Sequence, residues 1–287
     1  MIHLELGSIL KEIRINRGYS QLGVAHKIIS QGVYSKVEAG TRDLDAVSFL
    51  QIANRMNVTP DEIEFISNNY DYNHKQRIVN DFFKLSYNQP DLLTAIKDRA
   101  MDYLKVEDDL ELREIHMLCE ALLIVSDSED YTKAVDLIEP IWKRVITYDQ
   151  WYLYDIRLIN MILFMYPIET TIAISERVLK RLVDYSKYDK VESMKDIYSI
   201  NLSLLYIRSE RYADALYLVE ERLTDRHHMN YTMLSLFLSR RALCKNILHL
   251  GDYEEDQASV RHVLQAYGAI DLLSRIEEEF EKYAIIE

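Results

Sequence analysis

The sequence is poor in the residues that make tight turns. Its 287 residues include seven glycines and four prolines, about a third of the ordinary share, so folds built on many hairpins are disfavoured. Cysteine is scarce as well. Cys119 and Cys244 are the two thiols, in no Cys-x-x-Cys spacing, which argues against a disulfide framework or a structural zinc and fits a reducing compartment. The longest apolar runs, Ala121 to Val125 and Ile162 to Tyr166, fall far short of the ~20 residues that cross a bilayer. The N-terminal Met1-Ile2-His3-Leu4-Glu5 lacks the basic-then-apolar pattern of a secretory signal, so a cytoplasmic protein without membrane contact is expected. Enzymatic signatures are missing too: no glycine-rich phosphate loop, no His-Glu-x-x-His, no nucleophile elbow. His227 and His228 are adjacent, and neighbouring side chains on a helix diverge by about 100°, so joint metal ligation is not expected. The reading is a non-enzyme without cofactor or metal.

Positive charge is also in deficit, with 34 basic against 47 acidic side chains and a net charge of −13, which opposes binding to a polyanion. Its distribution is uneven. Residues 1–42 hold Lys11, Arg14, Arg17, Lys27, Lys36 and Arg42 against Glu5, Glu12 and Glu38, six minus three, so this piece is +3 and the remainder −16. A nucleic-acid contact, if there is one, belongs at the N-terminus. The length, about twice the ~100–150 residues of an ordinary domain, allows a small domain and a large one.

What is present is helical periodicity. Ile9, Leu10 and Ile13, then Val24, Ala25 and Ile28, then Val33, Tyr34 and Val37 repeat the spacing of one helix face. Ser20 and Ser30 stand where an N-cap is needed, and Gly40 follows the third helix as its left-handed terminator. Leu50, Ala53 and Met56 mark a fourth helix, and Thr59-Pro60-Asp61-Glu62 opens a fifth with a cap, Pro at N1 and an acid able to close a capping box. Five short helices in about 66 residues, with Ser-Gln opening the second and third, have the organisation of a helix-turn-helix domain.

On the third helix Gln31, Gly32, Ser35 and Lys36 share the face opposite Val33 and Val37, so with Ser30 at its start they are the candidates for contact with DNA base edges. Gln21, opening the second helix, suits a phosphate oxygen, and Arg17, Lys27 and Arg42 are less specific phosphate candidates. The competing reading makes Gln31, Ser35 and Lys36 the solvated face of a small helical domain.

Residues 68–75, Asn-Asn-Tyr-Asp-Tyr-Asn-His-Lys, are polar and without an apolar stripe, so a linker over 67–75 is expected between domains at 1–66 and 76–287. Beyond it Asp130-Tyr131-Thr132-Lys133-Ala134, Arg211-Tyr212-Ala213-Asp214-Ala215 and Asp252-Tyr253-Glu254-Glu255-Asp256 are weakly similar, and a unit at Ile168 divides the longer interval into 37 and 44 residues. A period of about 40 is that of an α-solenoid of the tetratricopeptide or related kind. The stretch from Asn201 to Leu216 matches best, with an aromatic filling the inter-helix gap and alanine permitting close crossing. The fold class is therefore all-α: an N-terminal helix-turn-helix domain followed by a tetratricopeptide-like solenoid.

Asn160 and Asn201 lie one period apart, each within apolar sequence, and should sit side by side. A carboxamide donates and accepts, so the pair could hold a peptide backbone whatever its side chains. The competing reading has them satisfying helix ends or loops in the core. Phe164, Tyr198, Phe237, Arg240 and Arg241 are secondary candidates for the same groove, and packing or surface roles are open for each.

Residues 4–40, with SQ-x-x-YSK-x-E-x-G, resemble the Cro/repressor-type domain, and with the long helical remainder the chain resembles the Rgg-type peptide-responsive transcription regulators. One departure is Ile28-Ile29, where many repressors carry glycine in the turn between the second and third helices. The resemblance implies a buried ion pair between Arg14 and Glu38, and asparagines at this phase that hold a signalling peptide, with Phe164 where some relatives place arginine. It also implies a homodimer on double-stranded operator DNA, to which the last helices, Ala269 to Tyr283 with Leu272, Leu273, Ile276 and Phe280, contribute dimer packing or pocket closure. The alternative function is a helical-repeat adaptor or inhibitor that grips another protein without recognising DNA.

Overall fold

A computed structural model describes residues 6–85, 89–128, 131–188 and 191–284. All regular elements among them are helical, and no described helix is long and apolar enough to cross a membrane. The chain divides into two compact units, residues 1–119 and 120–287.

The first unit opens with α1 (Leu6–Asn16), α2 (Gln21–Ala25), α3 (Gln31–Glu38), α4 (Ala46–Arg55) and α5 (Pro60–Ser67). Their apolar faces close on Leu10, Val24, Ala25, Tyr34, Val37, Ile52, Ala53, Met56, Val58 and Ile63. The helix starts follow the caps read from sequence: Ser20 Oγ accepts from Gly23 N–H, Ser30 Oγ from Val33 N–H, and Thr59 Oγ1 from Glu62 N–H. α3 stops because Gly40 turns left-handed, at φ +69°, and directs its own N–H to Val37 O and that of Thr41 to Lys36 O. That bond pair satisfies the last carbonyls of the helix.

In so glycine-poor a chain other residues must take left-handed positions. Lys27, Asn57, Asn69, Glu210 and His249 all have φ between +51° and +60°, and the last four close helix ends with the same bond pattern as Gly40. Lys27 resolves the departure noted at Ile28-Ile29. The left-handed residue of the α2–α3 turn is the lysine one position earlier, and both isoleucine amides return to Ala25 O.

Gly7 carries a requirement that its sequence context did not show. A Cβ there would lie 1.9 Å from Val37 O, because α1 crosses the main chain of α3 at that point. Gly7→Ala is expected to destabilise the headpiece by about 1–3 kcal/mol through overpacking against backbone, measured as a fall in its denaturant midpoint with unchanged slope.

The segment expected to link domains is tied down. Asn73 and Gln76 form a reciprocal capping box for α6 (His74–Phe83), Asn73 also donates to Glu64 Oε1 of α5 at 3.1 Å, and Phe65 packs on Tyr70 and Tyr72. α7 (Pro90–Leu104) follows, joined to α6 by Arg99 and Asp81. α8 (Leu110–Ser128) runs across the division between the units.

The second unit contains α9 (Tyr131–Ile146), α10 (Leu153–Ile162), a 3₁₀ turn (Leu163–Met165), α11 (Ile168–Leu182), α12 (Val191–Arg208), α13 (Tyr212–Leu223), α14 (Tyr231–Ile247), α15 (Tyr253–Ala266) and α16 (Ile270–Tyr283). α9, α11, α13 and α15 start on the repeat-motif positions Tyr131, Ile168, Tyr212 and Tyr253, each opening the second helix of a pair; Asp130 of the first motif lies outside the described residues. From α11 onward sequential helices pack on one another, and α12, α14 and α16 pack on the next but one. Tyr206 and Ala215 are buried together with Ile207, Leu216, Leu243 and Cys244, the aromatic-plus-alanine packing anticipated for this repeat. Burial pushes both Cys119 and Cys244 up to about 12, so neither thiol is a nucleophile at neutral pH.

Candidate functional site

On the headpiece the polarity of α3 is divided sharply. Tyr34, Val37 and Glu38 face the core, whereas Gln31, Gly32, Ser35 and Lys36 are all exposed. The side chains of Gln31, Ser35 and Lys36 project from one surface of an eight-residue helix, with the bare backbone of Gly32 among them, a geometry that fits a major groove. Ser30 is also exposed, but its hydroxyl is engaged as the N-cap of this helix.

Beneath that face Arg14 and Glu38 form a two-bond ion pair, Nε to Oε1 at 2.5 Å and Nη2 to Oε2 at 3.0 Å. Arg14 also donates to Tyr19 O and Gln21 Nε2 to Glu38 Oε2, both at 2.8 Å. Burial alone would raise the Glu38 carboxyl, but hydrogen bonds from Arg14 and Gln21 and the charge of Arg14 offset it and hold the group below its ordinary range. One of the two Gln21 amide N–H groups is engaged by Glu38, so the side chain positions α2 against the end of α3 and keeps a second donor for a phosphate oxygen.

In the second unit Asn201 Nδ2 donates to Asn160 Oδ1 at 3.0 Å. The two carboxamides, one repeat apart on α12 and α10, therefore touch as their spacing required. Asn201 is exposed and Asn160 partly so, which removes the reading that they satisfy polar groups in the core. Among the described residues the pair keeps unused donors on Asn160 and an unused carbonyl on Asn201.

Three other groove candidates are turned inward. Tyr198 is 2% and Phe237 0% exposed; Tyr198 Oη donates to Ile156 O, and burial raises its phenol well above 10. Arg240, 5% exposed, donates to Ile200 O, to Ser203 Oγ and to Glu279 Oε1. The reason is common to all: α12 and α14 are flanked by helices of the repeats on either side, so most of their surface is interior. Arg241 is half-buried and engaged by Asp256 through two bonds. Phe164 remains partly exposed, but it lies in the 3₁₀ turn after α10, out of helical phase with Asn160. The terminal stripe is likewise spent within the chain: Leu273 and Ile276 bury against Val260, Leu264, Phe237 and Leu238, with Leu272 alongside, and Phe280 packs near Leu243 and Tyr253.

Two family models match. A helix-turn-helix model covers residues 10–63, and the model described as "HTH-type transcriptional regulator Rgg, C-terminal domain" covers residues 96–236. This chain belongs to the Rgg family. No curated protein matches it. The fold of this Rgg-family chain is shared with a candidate transcriptional regulator of Listeria monocytogenes EGD-e, at 18% identity over 98% of both chains with a TM-score of 0.75. It is also shared with the SHP pheromone receptor Rgg2 of Streptococcus dysgalactiae, at 16% identity over 97% of this chain and 100% of that one, TM-score 0.73. PlcR of Bacillus thuringiensis, solved with the peptide PapR7 and DNA, is 17% identical over 96% and 99% of the two chains, TM-score 0.67.

In this Rgg-family chain, reasoning from spacing located the exposed face of α3 and the asparagine pair. It missed the bond from Gln21 to Glu38, for which the glutamate on α3 was the available signal. It also missed Arg55, whose Nη1 donates to the carbonyls of Val24, His26 and Gly23 and so terminates α2.

Proposed function

We propose that the chain is a cytoplasmic, non-enzymatic transcription regulator that binds operator DNA through residues 1–66, with α3 in the major groove, and answers to a short peptide held on residues 76–287, the span 67–75 connecting them. The observation that carries the reading is the division of α3, whose apolar side is consumed by the headpiece core while Gln31, Gly32, Ser35 and Lys36 stand open to solvent. Family membership and the printed contents of the PlcR complex, peptide and DNA, support it. A homodimer follows from the reading, because one small headpiece contacts few base pairs and two placed about one helical turn apart, ~34 Å, read a palindromic site.

Electrophoretic retardation of genomic fragments at stated salt tests the DNA arm. A specific, salt-sensitive shift is expected; no shift at low salt, together with a stable protein partner in pull-down, would transfer the chain to the adaptor class.

For the peptide arm, the contact group is the carboxamide pair. Asn160 and Asn201 together present donors and acceptors of the kind a peptide unit pairs with, with the partly exposed apolar residues Met161, Leu204 and Leu205 on the same helices, which suits an apolar peptide. Synthetic peptides encoded by short reading frames beside the gene, titrated calorimetrically, are expected to include one that binds. Asn201→Ala should weaken it about tenfold, the loss of one or two hydrogen bonds at ~1 kcal/mol each, without changing the thermal midpoint. Unaltered affinity in both Asn160→Ala and Asn201→Ala would remove the pair from the site.

A further inference from the structure

The headpiece carries a second polar feature, on the flank of α3. A cleft of about 350 Å³ opens between the α2–α3 turn and α4, lined by Lys27, Ile28, Gln51, Asn54 and Arg55. Two of these five carry positive charge and two are carboxamides, and no carboxylate lines the cleft. Arg55 is immobilised, its Nη1 fixed by the carbonyls that end α2. Lys27, Gln51 and Asn54 are exposed, and their side chains have no hydrogen-bond partner among the described residues. Lys27 moreover sits at φ +60°, a backbone state in which glycine is the favoured residue. A charged side chain is kept there at a conformational cost, and it lines the cleft.

We propose that this cleft is an oxyanion site that takes a backbone phosphate of duplex DNA beside the groove entered by α3, an inference that rests on the DNA-binding reading above. A held guanidinium, a free ammonium and two amide donors are the group types that bind phosphate oxygens. Lys27 stands four residues before Gln31, in the turn that leads into α3, so the cleft adjoins the start of that helix. An acidic protein surface offers related chemistry. The polar lining, with Ile28 its single apolar member and no carboxylate, favours the polyanion.

Lys27→Gly separates charge from structure, because glycine relieves the left-handed backbone while deleting the ammonium. The full-length chain and variants are titrated into a labelled mixed-sequence duplex by fluorescence anisotropy, from ~50 to ~200 mM salt. Wild type should bind with a steep salt dependence. Lys27→Gly should weaken binding several-fold at low salt and reduce the slope of log K against log salt by about one, the signature of one lost phosphate contact, while its thermal midpoint holds or rises. The double variant Gln51→Ala/Asn54→Ala should weaken binding with little change in slope, and Lys11→Met, an exposed cation of α1, should alter neither quantity.

An unchanged slope and affinity in Lys27→Gly overturn the proposal, as does an equal loss in Lys11→Met, which would assign the effect to net charge. Unchanged duplex binding combined with lost promoter output in cells would give the cleft to an acidic protein and overturn the phosphate assignment. Absence of any duplex binding by wild type overturns the parent reading and this one with it, whereas normal wild-type binding beside an indifferent Lys27 overturns this one alone.

Discussion

Arg14→Ala should lower the stability of the headpiece by about 3 kcal/mol, the low end of the range for removing one member of a buried ion pair. Glu38 loses its two-bond partner while its side chain stays 3% exposed, and the Gln21 amide and the Tyr34 hydroxyl are left to solvate it. Hydrogen exchange over α1 to α3 should then show protection reduced by about a hundredfold. The pH dependence gives a sharper test. In the wild type the Glu38 carboxyl is held below 4.5, so its contribution is present above that unfolded value and is lost as pH falls through the folded one. Without Arg14, burial dominates and raises the folded value above 4.5, so stability should recover on mild acidification. Arg14→Ala/Glu38→Gln should recover most of the loss at neutral pH by deleting the stranded charge. A single variant as stable as wild type, or one whose acid response keeps the wild-type sign, would show that the pair does not hold the three helices together.

This network also marks where one-dimensional reading of the chain stopped. Caps and terminators were legible because their chemistry is local: Ser20, Ser30 and Thr59 bond to amides three residues ahead, and Gly40 acts on its own helix. Repeat boundaries were legible for a similar reason, since each unit reuses one helix-pair geometry and a tyrosine, or Ile168 in one unit, marks the same turn. Groups whose direction is set by distant neighbours were not. Gly7 looks permissive until α3 passes over it. Tyr198, Phe237 and Arg240 read as groove residues, yet the helices packed on either side consume most of the circumference of α12 and α14. Phe164, placed by the resemblance where some relatives carry arginine, lies two residues past the end of α10, where the helix tightens into a 3₁₀ turn. The asparagine pair survived because its argument used the repeat period, the one long-range distance that the sequence encodes directly.

Gln31→Ala/Lys36→Ala should reduce affinity for an operator, selected from genomic fragments by the wild-type chain, by a hundredfold or more. A well-placed side-chain contact to a base edge contributes ~1–3 kcal/mol of discrimination, and both headpieces of a dimer lose two. Lys36 suits the O6 and N7 acceptors of guanine, and Gln31 the N6 and N7 pattern of adenine. Affinity for mixed-sequence duplex should fall far less, since phosphate contacts elsewhere persist. The fold should be spared for identifiable reasons. Both side chains are exposed, alanine is a strong helix former, and the role of Lys36 in ending α3 belongs to its main-chain carbonyl, which accepts from Thr41. Ser30→Ala is the wrong probe, because deleting the N-cap costs ~1 kcal/mol of helix stability and would mix folding with reading. The decisive quantity is the ratio of operator to mixed-sequence affinity at one salt concentration. If the ratio is unchanged while both affinities drop together, the two residues touch phosphate and some other element reads the bases; if neither affinity moves, α3 does not enter the groove.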